Sequence, residues 1–157
     1  MRKKIIIKGV LIGIIDQIVK TMVIFTLPKT GVTVIKDFFY FNYLENTGAA
    51  FGLFSGNRWI LIIASILGLY AIIKYFLLDE NIKKTEVIGY SLVIGGILGN
   101  LIDRIVHGHV IDFIDFRFGS YQFPLFNIAD MCIVIGVAII LIWLLKNSLA
   151  SRKNKWN

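Results

Sequence analysis

Four long apolar segments restrict the folds available to this chain more than any other feature of its sequence. They cover residues 5–26, 59–78, 87–105 and 128–145, and each is close to the roughly 20 residues that a helix needs to cross a bilayer. The chain is 57% hydrophobic and 17% charged, whereas a soluble domain carries about a quarter charged residues. The sequence therefore predicts an all-α membrane protein, a four-helix transmembrane bundle in one domain spanning residues 1–157.

The basic residues indicate how these segments cross the membrane. They cluster at the start of the first segment, between the second and third, and in the tail of a chain with net charge +7. The clusters contain Arg2, Lys3, Lys4, Lys83, Lys84, Lys146, Arg152, Lys153 and Lys155. With four spans all three clusters fall on one side, which the positive-inside rule makes cytoplasmic. Both termini are expected there, and charge distributed in this way does not predict nucleic acid as a partner.

Residues 27–58 and 106–127 are the two loops expected on the outer side. The first is rich in β-branched and aromatic residues and predicts two or three short strands with a turn at TGAAFG. This loop would form a small β-rich extracytoplasmic domain. The second loop contains Gly108, Gly119 and Pro124, which favour a segment that is partly irregular and partly a short interfacial helix. Its phenylalanines suit the lipid headgroup layer.

The polar residues inside the apolar segments share one depth. A helix rises about 1.5 Å per residue, which places Asp16 roughly 16 Å and Lys20 roughly 22 Å from the inner face. The same rise puts Asn100 at roughly 20 Å and Asp103 at roughly 24 Å. Asp130 lies only about 3 Å below the outer end of the last segment. Three helices are therefore predicted to bring polar side chains together in the outer third of the bilayer.

Most of these residues have a structural interpretation. Asp16 and Lys20 are spaced i, i+4 with the acid first, which favours an ion pair on one helix and avoids a lone charge in the bilayer. Asp103 and Arg104 are given the same interpretation, and Arg104 is also placed to meet a phosphate or a carbonyl at the interface. Small residues at G-x-x-x-G spacing allow helices to approach closely. This packing is predicted at Gly95, Gly96 and Gly99.

Asp112 and Asp130 have no basic residue spaced to neutralise them locally, and Arg117 is the nearest candidate in the loop. Two carboxyl groups brought together in a low-dielectric site cannot both ionise cheaply, so they share one proton. One carboxylate then activates a water as general base, and its protonated partner acts as general acid toward a scissile carbonyl. This is the chemistry of an aspartic protease, and it requires no metal or other cofactor.

Two alternatives stay open from the residues alone. His107 and His109, with Asp112 and Asp115 nearby, offer ligands for zinc, but the chain has no further histidine and such loop histidines are more often solvated. Acids inside a membrane also serve proton and ion pathways, so a proton-coupled transporter is the alternative function. Four spans without broken-helix pairs or an inverted repeat do not favour a transporter.

Five motifs, in order along nearly the whole chain, resemble those of the lipoprotein signal peptidases, the type II signal peptidases of bacteria. They are DQIVK at 16–20, ENTGAAFG at 45–52, GGILGNLIDRI at 95–105, GHVIDFIDF at 108–116 and FNIAD at 126–130. The resemblance implies an aspartyl endopeptidase of the bacterial plasma membrane whose active site faces outward. It would cut prolipoproteins just before a cysteine that carries diacylglycerol. The enzyme is expected to work as a monomer in membrane lipid.

The resemblance also implies roles for single residues. Asp112, in V-x-D-F, and Asp130, in F-N-x-A-D, match the catalytic dyad. The supporting positions fall on Asp16, Lys20, Asn46, Asn100, Asp103, Arg104 and Asn127. Motif alignment leaves Asp115 as either a solvated loop acid or a partner for Arg117.

Two further hypotheses concern the loops. Asn46 and Gly48 stand where the first outer loop would hold an extended substrate by its backbone, through strand pairing. The aromatic second loop, from Phe116 to Phe123, would act as a lid over the dyad.

Overall fold

The computed structural model describes residues 2–49, 52–78 and 82–153, and its four helices coincide with the four apolar segments. They are α1 (Arg2–Thr26), α2 (Arg58–Leu78), α3 (Lys84–Val106) and α4 (Ile128–Lys153). Each is long and apolar enough to cross a membrane. The prediction of four apolar helices is confirmed, although α4 continues beyond residue 145, where the apolar segment was expected to end.

The helix α3 lies at the centre of the bundle. It packs against α1 and α4, and less extensively against α2. A Cβ added at Gly95 would overlap Ile12 of α1, and one added at Gly96 would overlap the carbonyl oxygen of Ala129 at the start of α4. The predicted role of these glycines in helix packing is confirmed. The other three helices keep many large apolar side chains exposed, which suits helices that face lipid.

A four-stranded antiparallel sheet caps one end of the bundle. Its strands lie in the order β1 (Val32–Ile35), β2 (Phe39–Asn46), β3 (Val110–Phe118) and β4 (Tyr121–Gln122). The strands β1 and β2 confirm the β-structure predicted for the first outer loop.

The short interfacial helix predicted for the second outer loop was wrong, because within the described residues this loop forms two strands with irregular segments around them. The sequence VIDFIDFRF is rich in β-branched and aromatic residues, which fit a strand that pairs along β2. Gly108 and Gly119 lie just outside the ends of β3, with φ of 85° and 61°. They provide the turns that let β3 enter and leave the sheet.

The two faces of the sheet differ in chemistry. Phe39 and Phe116 stack with ring centroids 4.8 Å apart on one face. The next register pair along the ladder is Tyr40 and Asp115. Because successive residues of a strand point to opposite faces, this pair lies on the other face. The sheet therefore has an aromatic face and a face with a polar cluster.

Candidate active site

Asp112 and Asp130 meet through one residue, Asn127. Asn127 Nδ2 donates to Asp112 Oδ1 at 2.6 Å. Its backbone N–H donates to Asp130 Oδ2 at 3.2 Å, and its Oδ1 accepts from the backbone N–H of Asp130 at 3.0 Å. This reciprocal pair is a capping box at the start of α4. The N-terminus of the last helix thus holds Asp130 beside the strand that carries Asp112.

A second amide holds each carboxyl from its other side. Asn46 Nδ2, at the end of β2, donates to Asp112 Oδ2 at 2.8 Å. Asn100 Nδ2, on α3, donates to Asp130 Oδ1 at 2.7 Å. Among the residues that the structure describes, no Lys or Arg forms an ion pair with either aspartate. The dyad is therefore surrounded by neutral donors.

Asp112 is completely buried, and burial raises the pKa of its carboxyl to about 7. The hydrogen bonds from Asn46 and Asn127 oppose this rise, while the nearby charge of Asp130 adds to it. At neutral pH Asp112 is therefore able to carry a proton that an ordinary aspartate would have lost.

The orientation of the Asn100 amide is fixed by the groups around its oxygen. Lys20 Nζ donates to Asn100 Oδ1 at 3.0 Å, and Asn127 Nδ2 approaches the same oxygen at 3.2 Å. Because the oxygen accepts both of these donors, the Asn100 NH₂ group must face Asp130.

Lys20 forms ion pairs with Asp16 at 2.9 Å and with Asp103 at 2.8 Å. We call these three residues the lysine cluster. The predicted Asp16–Lys20 pair is confirmed. The predicted pairing of Asp103 with Arg104 was wrong, because successive residues on a helix point in different directions and Asp103 instead faces α1.

The interpretation of Arg104 as a carbonyl partner is supported by a contact within the protein. Arg104 Nη2 donates to the carbonyl oxygen of Gly48 at 3.1 Å. The Gly48 N–H donates to Asn46 Oδ1 at 2.9 Å, which turns the Asn46 NH₂ group toward Asp112. Gly48 therefore already uses its N–H and its carbonyl within the protein. This weakens the hypothesis that Gly48 holds the substrate backbone directly.

Sequence reasoning missed three hydrogen bonds that complete the layer. Gln17 Nε2 donates to Asp103 Oδ1 at 2.7 Å and to the Gly99 carbonyl at 3.0 Å. Asp16 Oδ1 accepts from the backbone N–H of Ala129 at 2.9 Å. Gln17 was detectable as a polar residue at the depth of Asp16, whereas the contact to Ala129 depends on the tertiary structure.

A cavity of about 1120 Å³ opens beside the dyad. Asn46, Asn100, Arg104 and Asp130 contribute polar groups to its wall. Its apolar wall includes residues 133–135 of α4. The cavity therefore joins a polar region at the dyad to an apolar surface on a helix long enough to cross the membrane.

The remaining candidates lie apart from the dyad. Asp115 is fully buried and bonds to Arg117, so it is the predicted arginine partner and not a solvated acid. His107 and His109 have ring centroids 6.0 Å apart, and His109 Nδ1 lies 3.8 Å from Glu45 Oε2. Within the described ranges, no three His, Cys, Asp or Glu side chains group in a way that could hold a metal ion.

Known proteins share this sequence and this architecture. The family described as "Signal peptidase (SPase) II" matches residues 9–146. The chain is 40% identical to a lipoprotein signal peptidase of Clostridium novyi, over 93% of this chain and 98% of that one. A lipoprotein signal peptidase of Staphylococcus aureus is also 40% identical, over 96% and 92% of the two chains.

A solved structure agrees with the sequence relatives. It is described as a bacterial membrane enzyme determined by the in meso method at 2.3 Å resolution. It superposes with a TM-score of 0.83 at 37% identity, covering 92% of this chain and 88% of that chain. The chain therefore belongs to the signal peptidase II family.

Proposed function

We propose that this protein is a membrane aspartyl endopeptidase that removes signal peptides from diacylglyceryl-modified prolipoproteins, cutting just before the lipidated cysteine. The observation that carries the proposal is the dyad itself. Asp112 and Asp130 are linked by Asn127 and receive hydrogen bonds from neutral amides, and Asp130 lines a large cavity. The relatives named lipoprotein signal peptidase support the choice of substrate.

The two aspartates take complementary roles in this mechanism. The Asp130 carboxylate, which lines the cavity, accepts a proton from a water as the water oxygen attacks the scissile carbonyl. Asp112, with its raised pKa, donates a proton to the carbonyl oxygen, which gives a neutral tetrahedral intermediate. When the C–N bond breaks, the proton on Asp130 passes to the departing amine and the hydroxyl proton returns to Asp112. Both carboxyls then regain their starting states.

The shape of the cavity suits a lipidated peptide. Each methylene that a diacyl group buries contributes about 0.8 kcal/mol, and residues 133–135 on α4 offer an apolar surface beside the dyad. In β2, residues 44–46 pair with β3, and no described strand pairs with their other edge. Residues 44–46 also line the cavity. An extended peptide is therefore able to add along this edge by strand pairing.

The orientation in the membrane follows from the charge pattern. Lys83 and Lys84 lie at the end of α3 opposite the dyad, and the basic residues near the chain start lie at the same end of α1. The positive-inside rule then places both termini in the cytoplasm and the sheet with the dyad outside. The site would work in one copy of the chain, since a single chain supplies both aspartates and every amide around them.

Cleavage of a defined substrate tests this function. The protein purified in detergent is incubated with a synthetic prolipoprotein peptide carrying diacylglyceryl-cysteine, and the products are identified by mass spectrometry. We expect one cut before the modified cysteine, with and without a chelator. Loss of cleavage with chelator would favour a metal mechanism. An intact peptide, together with proton flux through the protein in liposomes, would favour a transporter.

A further inference from the structure

Asp115 is a buried carboxylate that the dyad does not use. It lies on β3, and its Oδ2 accepts from Asn42 Nδ2 at 2.7 Å and from Arg117 Nε and Nη2 at 3.0 and 2.8 Å. Its Oδ1 accepts from Gln122 Nε2 at 3.1 Å. We call these four residues the Asp115 clamp. One side chain thereby ties β2, β3 and β4 together.

The clamp is held by charge as well as by geometry. Burial on its own raises the pKa of Asp115, but the hydrogen bonds from Arg117, Asn42 and Gln122 outweigh this and lower the pKa below its usual value. The Arg117 guanidinium also lies 4.2 Å from the centre of the Tyr40 ring. Hydrogen bonds to an ionised carboxylate are stronger than those between neutral groups. The clamp therefore fixes β2, β3 and β4 relative to one another.

The clamp adjoins one wall of the cavity, which residues 122–126 form. The far end of this wall is fixed by backbone hydrogen bonds between Phe126 and residues 113–114 of β3, at 2.9 to 3.2 Å. The near end is the two-residue strand β4, next to which the Phe123 N–H donates to the Phe116 carbonyl at 2.9 Å. Such a short hairpin is only marginally stable without further support. Among the described residues, the Asp115–Gln122 bond is the side-chain hydrogen bond that ties this strand to β3.

We propose that Asp115 is a positioning residue for substrate binding, because its clamp fixes the 122–126 wall in the form that the substrate contacts. The inference rests on the proposed peptidase function, since it takes this cavity as the substrate site. The far end of the wall is held without the clamp, and Asn127 follows it directly in the chain. Loss of the clamp therefore loosens the wall while the dyad keeps its geometry.

The test compares Asp115→Asn with wild type in detergent, using the synthetic diacylglyceryl prolipoprotein peptide. An asparagine of the same size places an NH₂ group against the donors of the clamp. We expect KM to rise about fivefold, the equivalent of losing one hydrogen bond of roughly 1 kcal/mol, with kcat within twofold of wild type. A purely structural defect would reduce the amount of active enzyme, so that apparent kcat falls while KM stays constant.

Asn42→Leu is the matched control, because it removes a donor on the β2 side and leaves the bond to Gln122. Its KM should equal that of wild type. An unchanged KM in Asp115→Asn, or an equal rise in Asn42→Leu, would overturn the positioning role. If Asp115→Asn does not fold, Gln122→Met takes its place, because it removes the same bond between Asp115 and the wall, and a wild-type KM would again refute the inference. A wild-type protein that leaves the peptide intact would instead refute the proposed function, and this inference with it.

Discussion

Two pairs of carboxyl groups lie in the same polar layer of this molecule, and they differ in the group between them. Asp16 and Asp103 share the ammonium group of Lys20. Asp112 and Asp130 share Asn127, which binds one through its side-chain amide and the other through its backbone N–H. Both pairs include carboxyls without solvent exposure. The chemistry between the acids therefore distinguishes the pairs more than burial does.

The difference explains why one pair is structural and the other is suited to catalysis. An ammonium group compensates the repulsion between neighbouring carboxylates, and Lys20 links α1 to α3 in doing so. A neutral amide positions two acids without compensating their charge. The pair at Asn127 is then best stabilised by sharing a proton. Asn100 connects the two environments, since it accepts from Lys20 and donates to Asp130.

The largest effect is expected from neutralising the dyad. Asp112→Asn and Asp130→Asn each remove a carboxyl that the mechanism uses while preserving its size. We expect kcat to fall by about a thousandfold or more, with KM close to wild type, as measured with the synthetic lipopeptide. Asp16→Asn, in the other pair, should lower kcat much less per folded molecule. Normal cleavage by either dyad variant would contradict the assignment.

The lysine cluster should show the opposite balance, with a larger loss of stability than of chemistry. Lys20→Met leaves Asp16 and Asp103 buried without their cation, and breaking a buried ion pair in this way costs about 3–5 kcal/mol. Thermal unfolding in detergent measures the loss. Gln17→Met is the control, because it removes a neutral donor to Asp103 and should cost about 1 kcal/mol. Equal losses in the two variants would show that the charge of Lys20 is unimportant.

How far the sequence predicted this arrangement depends on which interaction is considered. Counting helical rise placed Asp16, Lys20, Asn100 and Asp103 in one layer, and the contacts of Lys20 confirm that they meet. Helix geometry is regular enough for depth to be derived from position alone. Which acid faces which cation was not predictable in the same way. The assignment of Asp103 to Arg104 was wrong, because the packing of α1 against α3, and not spacing along the chain, selects the partner of Asp103.

The second outer loop shows a different limit. Its glycines and Pro124 indicated irregular structure. Pro124 does lie in an irregular segment, whereas Gly108 and Gly119 lie in the turns on either side of a regular strand, β3. The strand depends on a partner, β2, that lies more than 60 residues away in the sequence. The same long-range pairing brings Asn46 to Asp112, so this amide donor of the dyad could not be derived from local pattern. Only the resemblance to a known family indicated Asn46.

Helix packing offers a milder way to displace each carboxyl pair separately. A Cβ at Gly96 would meet the Ala129 carbonyl oxygen beside Asp130, whereas a Cβ at Gly99 would first meet the carboxylate of Asp16 and, less closely, the Ala129 side chain. Overpacking of this kind costs about 1–3 kcal/mol. For a given loss of unfolding temperature, we expect Gly96→Ala to lower kcat more than Gly99→Ala does.

The control for both glycine variants is Gly68→Ala, where the nearest atom to an added Cβ is 3.8 Å away. This variant should match or slightly exceed wild-type stability, because alanine is favoured over glycine in a helix. Unfolding temperature and kcat, measured on the same preparations, provide the comparison. If Gly96→Ala and Gly99→Ala gave the same ratio of lost activity to lost stability, the two carboxyl pairs would not be separable by packing.

The smallest effect expected is a dependence of kcat on pH that comes from Asp112. Because the pKa of Asp112 is raised from 3.8 to about 7 and the proposed mechanism needs its proton, kcat should fall to about half near pH 7 and continue to fall above it. Stability should change in the same direction. The folded protein binds this proton more tightly than the unfolded chain, so the stabilisation is complete below pH 3.8 and is lost as pH rises through about 7. Asp112→Asn lacks the titrating group. The unfolding temperature of this variant minus that of wild type should therefore increase as the pH rises from 5 to 8. If this temperature difference stayed constant across the range, Asp112 would not retain its proton in the folded protein. The dyad would then not be distinguished from Asp16 and Asp103 by a shared proton.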